Sequence, residues 1–183
     1  MLKIKIWTDG SANWKTGRGG CACVIKYDGK QHILSKGLRN TRTGRAELHA
    51  ILMALKAVKK KDSQVTLYSD SQYCVKPIME KWLWKWREEY YFDAKGHVRP
   101  NRDLWEQLIT ELNAFKEGNG SVQLVHVKGH SGVPENEIAD GFADYSKFSE
   151  DEIETDLSDA DMIADLFEKE RFSQARELQQ DKV

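Results

Sequence analysis

The stretch KIKIWTDGSA, residues 3–12, decides how the whole chain is read. Leu2, Ile4, Ile6 and Thr8 alternate with Lys3, Lys5 and Trp7, which is the two-residue period of a strand. Asp9, Gly10 and Ser11 then follow the apolar run with no spacer. A second stretch, QVTLYSDSQY at 64–73, ends in the same way: Tyr68-Ser69-Asp70 repeats the order of Trp7-Thr8-Asp9. In both, the Asp stands two residues past an aromatic and therefore shares its face.

Working outward, GCACVIKY reads as a second strand and QHILSKGL as a third, joined by the hairpin signal Asp28-Gly29. These three make an antiparallel meander. The period then changes: Leu48, Ile51, Leu55 and Val58 recur at helical spacing between Ala46 and Lys61, with Thr43 as the expected N-cap. QVTLYS is a fourth strand. Residues 71–118 read as mainly helical, interrupted near Pro77, Gly96 and Pro100. SVQLVHV is a fifth strand, and PENEIADGFADYSKF opens a last helix with Pro134 in its first turn. A meander followed by alternating helices and strands indicates a mixed α/β layer fold.

That topology gathers acids. If the first, third, fourth and fifth strands all run one way, Asp9 and Asp70 end at the same sheet edge. Glu47, early in the first long helix, and Asp140, one to two turns into the last, arrive there too. Ligands bind at this edge in open α/β sheets. Four carboxylates packed together repel unless cations or protons intervene, and hard oxygen donors suit Mg²⁺, or Mn²⁺ in its place. Such a set can hold two ions about 4 Å apart for in-line phosphoryl displacement. Taken singly, each acid also reads as a turn, cap or surface residue; their convergence favours the metal site.

The bulk numbers set the boundaries. The 183 residues, 40% hydrophobic and 31% charged, suit one domain with an appendage. No apolar run is long enough for a membrane span. The opening residues lack a signal layout, and the three cysteines suit a reducing compartment, so a cytoplasmic location and a monomer are expected. Cys21, Cys23, His126 and His130 could form a zinc site, but their spacing fits no usual pattern; buried free thiols are the simpler reading. The net charge of −1 hides an asymmetry, since residues 149–183 carry twelve Asp/Glu against four Lys/Arg. The expected division is a domain over 1–147 and an acidic tail over 148–183. Met162, Ile163, Leu166 and Phe167 would give that tail one apolar helical face, a means of docking on the body or on a protein partner.

The blocks TDGS, GRAELHA, SDSQY and VKGHSG followed by PENEIADGFA resemble, in order and separation, the signature blocks of type 1 ribonuclease H. The resemblance covers about residues 1–147. It implies the ribonuclease H-like fold, a five-stranded mixed sheet of order 3-2-1-4-5 flanked by helices, here with an acidic C-terminal extension. It also implies endonucleolytic hydrolysis of the RNA strand of RNA–DNA hybrids by a two-metal-ion mechanism, leaving 5′-phosphate and 3′-hydroxyl ends. Asp9, Glu47, Asp70 and Asp140 fall on the family's Mg²⁺-binding acids. His130 falls on its mobile-loop histidine, which serves proton transfer or product release. Gly10, Ser11, Glu47, Ser71 and Gln72 match its minor-groove contact positions, where 2′-hydroxyls distinguish RNA from DNA. Asn136 continues the last block as a structural or substrate-adjacent residue.

Residues 76–103 resemble the basic protrusion that some members use to grip hybrid, with Trp82, Lys85 and Trp86 as candidate contacts. Seven Lys/Arg face five Asp/Glu there, so the protrusion is only weakly basic, and some tryptophans are expected to pack inward. The loop Asn40-Thr41-Arg42-Thr43-Gly44-Arg45 departs from the family's usual Thr-Asn-Asn or Thr-Asn-Gln run. Arg42 is a candidate phosphate contact in place of a hydroxyl. The Asn13–Thr16 turn departs as well. Two other readings remain at this point: a catalytically silent nucleic-acid-binding module, and a different metal nuclease or phosphotransferase on the same fold.

Overall fold

The computed structural model describes residues 1–149 and 154–155. The opening segments form β1 (Lys3–Ala12), β2 (Gly19–Tyr27) and β3 (Lys30–Arg39), an antiparallel meander. They are followed by α1 (Thr43–Ala57), β4 (Gln64–Ser69), α2 (Gln72–Met79), α3 (Trp82–Glu88), α4 (Arg102–Glu117), β5 (Ser121–His126) and α5 (Pro134–Ser146). β4 lies parallel to β1 and β5 parallel to β4, which gives the five-strand order 3-2-1-4-5. A two-residue strand, β6 (Glu154–Thr155), adds to the free side of β3 in parallel, opposite Leu38 and Arg39. The acidic extension thus does not lie wholly outside the sheet. The helix expected around Met162–Phe167 falls outside the described residues.

Two sequence-based expectations shift at α1. The helix covers Thr43–Ala57 rather than 46–61, because the chain turns extended at Val58. Arg42, not Thr43, occupies the cap position, and no side chain caps the first turn. What places α1 is its apolar face: Leu48, Ile51 and Leu55 are fully buried against Ile4, Ile6, Cys23, Ile25, Val65 and Leu67 of the sheet. α4 joins the same face through Leu104, Trp105, Leu108, Ile109 and Phe115. A bidentate pair ties the two helices together, Arg45 donating from both terminal nitrogens to the carboxylate of Asp103 at 2.7 Å.

α5 lies on the opposite face, across β1 and β2. Its close approach depends on Gly20, where a Cβ would stand 2.2 Å from the Ala143 carbonyl oxygen and 2.6 Å from Ser146 Oγ. The cysteines stay free and buried, and burial pushes the Cys23 thiol up to about 12. No zinc-type Cys/His cluster forms among the described residues. Among those residues, no helix is long and apolar enough to cross a membrane.

Gly20→Ala is expected to lower stability by about 1–3 kcal/mol, since backbone rather than a flexible tip blocks the new methyl. Gly141→Ala, within α5 and with nothing within 4 Å of the added carbon, should instead stabilise by about 0.5–1 kcal/mol. Urea unfolding of the two variants checks both signs.

Candidate active site

The register of β1 with β4 pairs Trp7 with Tyr68 and Thr8 with Ser69, so the next residues, Asp9 and Asp70, emerge side by side. The two aromatic rings stack at 5.0 Å, holding the strand ends in step. Glu47 comes over the edge from the first turns of α1, which can approach because Gly10 has no side chain. A Cβ there would lie 2.2 Å from the Glu47 backbone nitrogen. One carboxylate oxygen from each of Asp9, Glu47 and Asp70 falls within 4.8 Å of the others.

Asp140 does not join that trio directly. It forms a neighbouring group with His130 and Glu137, again with ligand atoms within 4.8 Å. His130 Nδ1 lies 3.8 Å from both Glu137 Oε2 and Asp140 Oδ2. The histidine sits in a left-handed conformation, φ 50°, on the exposed turn before α5. Glu137 also accepts a hydrogen bond from the Gly132 backbone nitrogen at 3.4 Å, tying that turn to the helix. Sequence reasoning passed over Glu137; its signal was the three-residue step to Asp140, which puts the two on one helical face.

The trio is electrostatically frustrated. Burial raises the Asp9 carboxyl from its ordinary value of 3.8 to about 7, helped by the charges of Asp70 and then Asp140. Glu47 is raised well above its usual range, first by burial and then by Asp9 and Asp70. Glu47 Oε2 is buried without a hydrogen-bond partner. Oxygen donors that repel one another, one of them orphaned, fit a hard divalent cation.

The other candidates divide into those at the site and those elsewhere. Ser11 Oγ reaches Asp144 at 3.3 Å, beside the acids. Ser71 and Gln72 follow Asp70 directly, with Ser71 as the α2 cap residue and Gln72 exposed. The Asp70 backbone is held by His126, which donates from Nε2 to its carbonyl at 3.0 Å. Gly129 presses on Asp70 as well, for a Cβ there would lie 2.5 Å from Oδ2. Asn136 is buried within α5, its Oδ1 without a partner. Arg42 is exposed and donates to the Trp14 carbonyl at 3.3 Å.

On the protrusion, Trp82 is 42% exposed and Lys85 lies 3.6 Å from Glu89. Trp86 is half-buried, edge-on to Trp105 at 5.7 Å and capped by the Arg99 guanidinium at 4.8 Å. It is therefore engaged in packing, whereas Trp82, tilted against Trp86 at 6.5 Å, keeps more of its ring in solvent.

Raised acids make the metal-free protein sensitive to pH in a defined direction. A carboxyl whose folded value exceeds its unfolded one contributes stability that is full below about pH 4 and lost as pH rises through about 7. Glu47 acts with the same sign. Without divalent cations the chain should be less stable at pH 8 than at pH 5.5, and Asp9→Asn should raise the urea midpoint at pH 8 and flatten the profile.

A family profile described as RNase H matches residues 2–147. The ribonuclease H of Actinobacillus pleuropneumoniae is 39% identical over 143 residues, 78% of this chain and 89% of that protein. The ribonuclease H of Desulforamulus reducens is 40% identical over 143 residues, 78% of this chain and 86% of its own. That of Thermus thermophilus is 37% identical over 138 residues, 75% and 80%. The crystal structure of LC9-RNase H1, a type 1 RNase H with the type 2 active-site motif, is similar with a TM-score of 0.68. It covers 80% of this chain and 72% of its own, and at 22% identity the likeness concerns the fold. The profile match runs through every element from β1 to α5, and on that match and those identities the chain belongs to the ribonuclease H family.

Proposed function

We propose that this protein hydrolyses the RNA strand of RNA–DNA hybrids at the edge formed by Asp9, Glu47, Asp70 and Asp140, leaving 5′-phosphate and 3′-hydroxyl ends. The observation that carries the reading is the trio of converging carboxylates, two of them forced above their ordinary range, in a chain of this family. Held by Asp9, Glu47 and Asp70 with Asp140 alongside, two Mg²⁺ ions (or Mn²⁺) would supply the Lewis acidity that activates water and stabilises the leaving oxygen.

The protein's own groups do the rest. Asp9 and Glu47 would hold those cations as carboxylates, the bound charge offsetting the burial and repulsion that otherwise raise both groups. The space beside Gly10 is taken by the backbone of α1, so Ser11, Ser71 and Gln72 offer the accessible groups along this edge. These are the contacts through which 2′-hydroxyls would be read. His130, on its exposed turn, is placed to take up or deliver a proton at Nδ1 between Glu137 and Asp140. Exposed Arg42 and Trp82 would supply contacts to phosphate and sugar.

With Mg²⁺ present, matched RNA–DNA, RNA–RNA and DNA–DNA duplexes should be cut in strong preference for the hybrid. Asp70→Asn should lower turnover at least about 100-fold, because charge stabilisation worth several kcal/mol is lost. Equal cutting of all three duplexes, or an unimpaired Asp70→Asn, would sink the reading. His130→Ala is expected to cost about 10²-fold or more in turnover with hybrid affinity nearly unchanged, as single-turnover kinetics and binding would report.

A further inference from the structure

Asp70 occupies the bend between the end of β4 at Ser69 and the cap of α2 at Ser71, outside both the ladder and the helix. Pairing with β1 stops where Ser69 meets Thr8, and pairing with β5 stops where Ser69 meets His126. Yet Asp70 belongs to a trio of carboxylates that repel one another. Its charge adds to burial in raising both Asp9 and Glu47. Without a brace, that repulsion would push the Asp70 carboxylate out of the trio.

The brace comes from the end of β5. His126 Nε2 lies 3.0 Å from the Asp70 carbonyl oxygen. A carbonyl only accepts, so Nε2 carries the proton. The neutral ring in that tautomer and the imidazolium both donate there, which makes the contact a fixed strut rather than a pH switch. Two further bonds hold the preceding residue: the Val127 nitrogen donates to the Ser69 carbonyl at 3.0 Å, and the Ser71 nitrogen donates to Ser69 Oγ at 3.1 Å. His126 is itself exposed, so its contribution here is the hydrogen bond and not burial of the ring.

Gly129 acts on the same residue from the side-chain end. A Cβ there would lie 2.5 Å from Asp70 Oδ2 and 3.4 Å from Cγ. Unlike Gly132 at φ 80°, Gly129 does not adopt the left-handed region, so its bareness makes room for the carboxylate and serves no special backbone conformation. We propose that His126, by donating to the Asp70 carbonyl, is a positioning residue that holds the Asp70 carboxylate in place as a metal ligand, with Gly129 leaving the space that carboxylate fills. The cation is the one invoked in the function proposed above, and the inference rests on that reading.

The test measures Mn²⁺ affinity of the full-length protein, free of nucleic acid, by titration calorimetry, with urea midpoints taken alongside. His126→Phe keeps a ring and removes the donor, and it should weaken Mn²⁺ binding about tenfold with the midpoint near the parent's. His126→Gln, whose amide nitrogen reaches about as far as Nε2, should recover most of that loss. Gly129→Ala, whose methyl presses on a carboxylate oxygen rather than on backbone, should weaken binding to a similar degree. Gln123→Phe, also exposed on β5 but three residues away, should bind as the parent does.

The proposal is overturned if His126→Phe or Gly129→Ala binds Mn²⁺ as tightly as the parent. It also fails if His126→Gln binds no better than His126→Phe, or if Gln123→Phe loses as much. Mn²⁺ binding undiminished by Asp70→Asn overturns it together with the metal site. Hybrid cleavage is scored separately. A parent that binds Mn²⁺ through Asp70 and His126 yet cuts no hybrid defeats the proposed activity and leaves the positioning role standing.

Discussion

The fold is organised around a conflict of like charges. Parallel pairing of β1 with β4 sets Asp9 beside Asp70, and the bare Gly10 lets α1 bring Glu47 down onto both. Three carboxylates then share a partly desolvated edge, and two of them hold protons far above their ordinary range. That arrangement opposes folding, so something else must hold it. The opposing stabilisation comes from the shared core of α1, α4 and the sheet, where Leu48, Ile51, Leu55, Trp105 and Phe115 lose their solvent contact. The site is tense because the scaffold beneath it is well packed.

The surrounding charges fall into layers. The trio forms a buried floor. His130, Glu137 and Asp140 form a more exposed group on the side where α5 begins. A floor of buried carboxylates of this kind is completed by cations rather than by a polyanion itself. Of the other pairs, Lys26 with Glu135 joins β2 to the start of α5, while Lys147 with Asp144 closes the last turn of α5 itself.

Most of this was legible in the sequence, and unevenly so for physical reasons. Strand period and the direction of each crossover placed Asp9 and Asp70 correctly, because a parity error would have put an apolar side chain in water. Glu47 was legible as an early helical residue even though the start of α1 was misplaced. Burial of the apolar face fixes the helix, whereas its cap contributes no side-chain bond here. Asp140 was read into one four-acid group; the structure sets it beside His130 and Glu137, with its charge still felt at Asp9 and Glu47. Trp86 looked like a contact because it alternates with cations, yet its packing against Trp105 needed knowledge of where α4 crosses. β6 was invisible, being only two residues long and set by an unpaired edge rather than by its own composition.

The register that sets Asp9 against Asp70 also governs when the site can come into being. Those residues belong to segments some sixty positions apart, and His130 and Asp140 follow only after the last crossover. The local meander of β1, β2 and β3 can assemble early, but it contains only one of the four acids. Long-range parallel pairing is slow because the closure entropy is lost before any contact compensates. A growing or half-collapsed chain is thus chemically mute until nearly its whole length has docked. The carboxylate edge is a product of the whole fold and of no single segment.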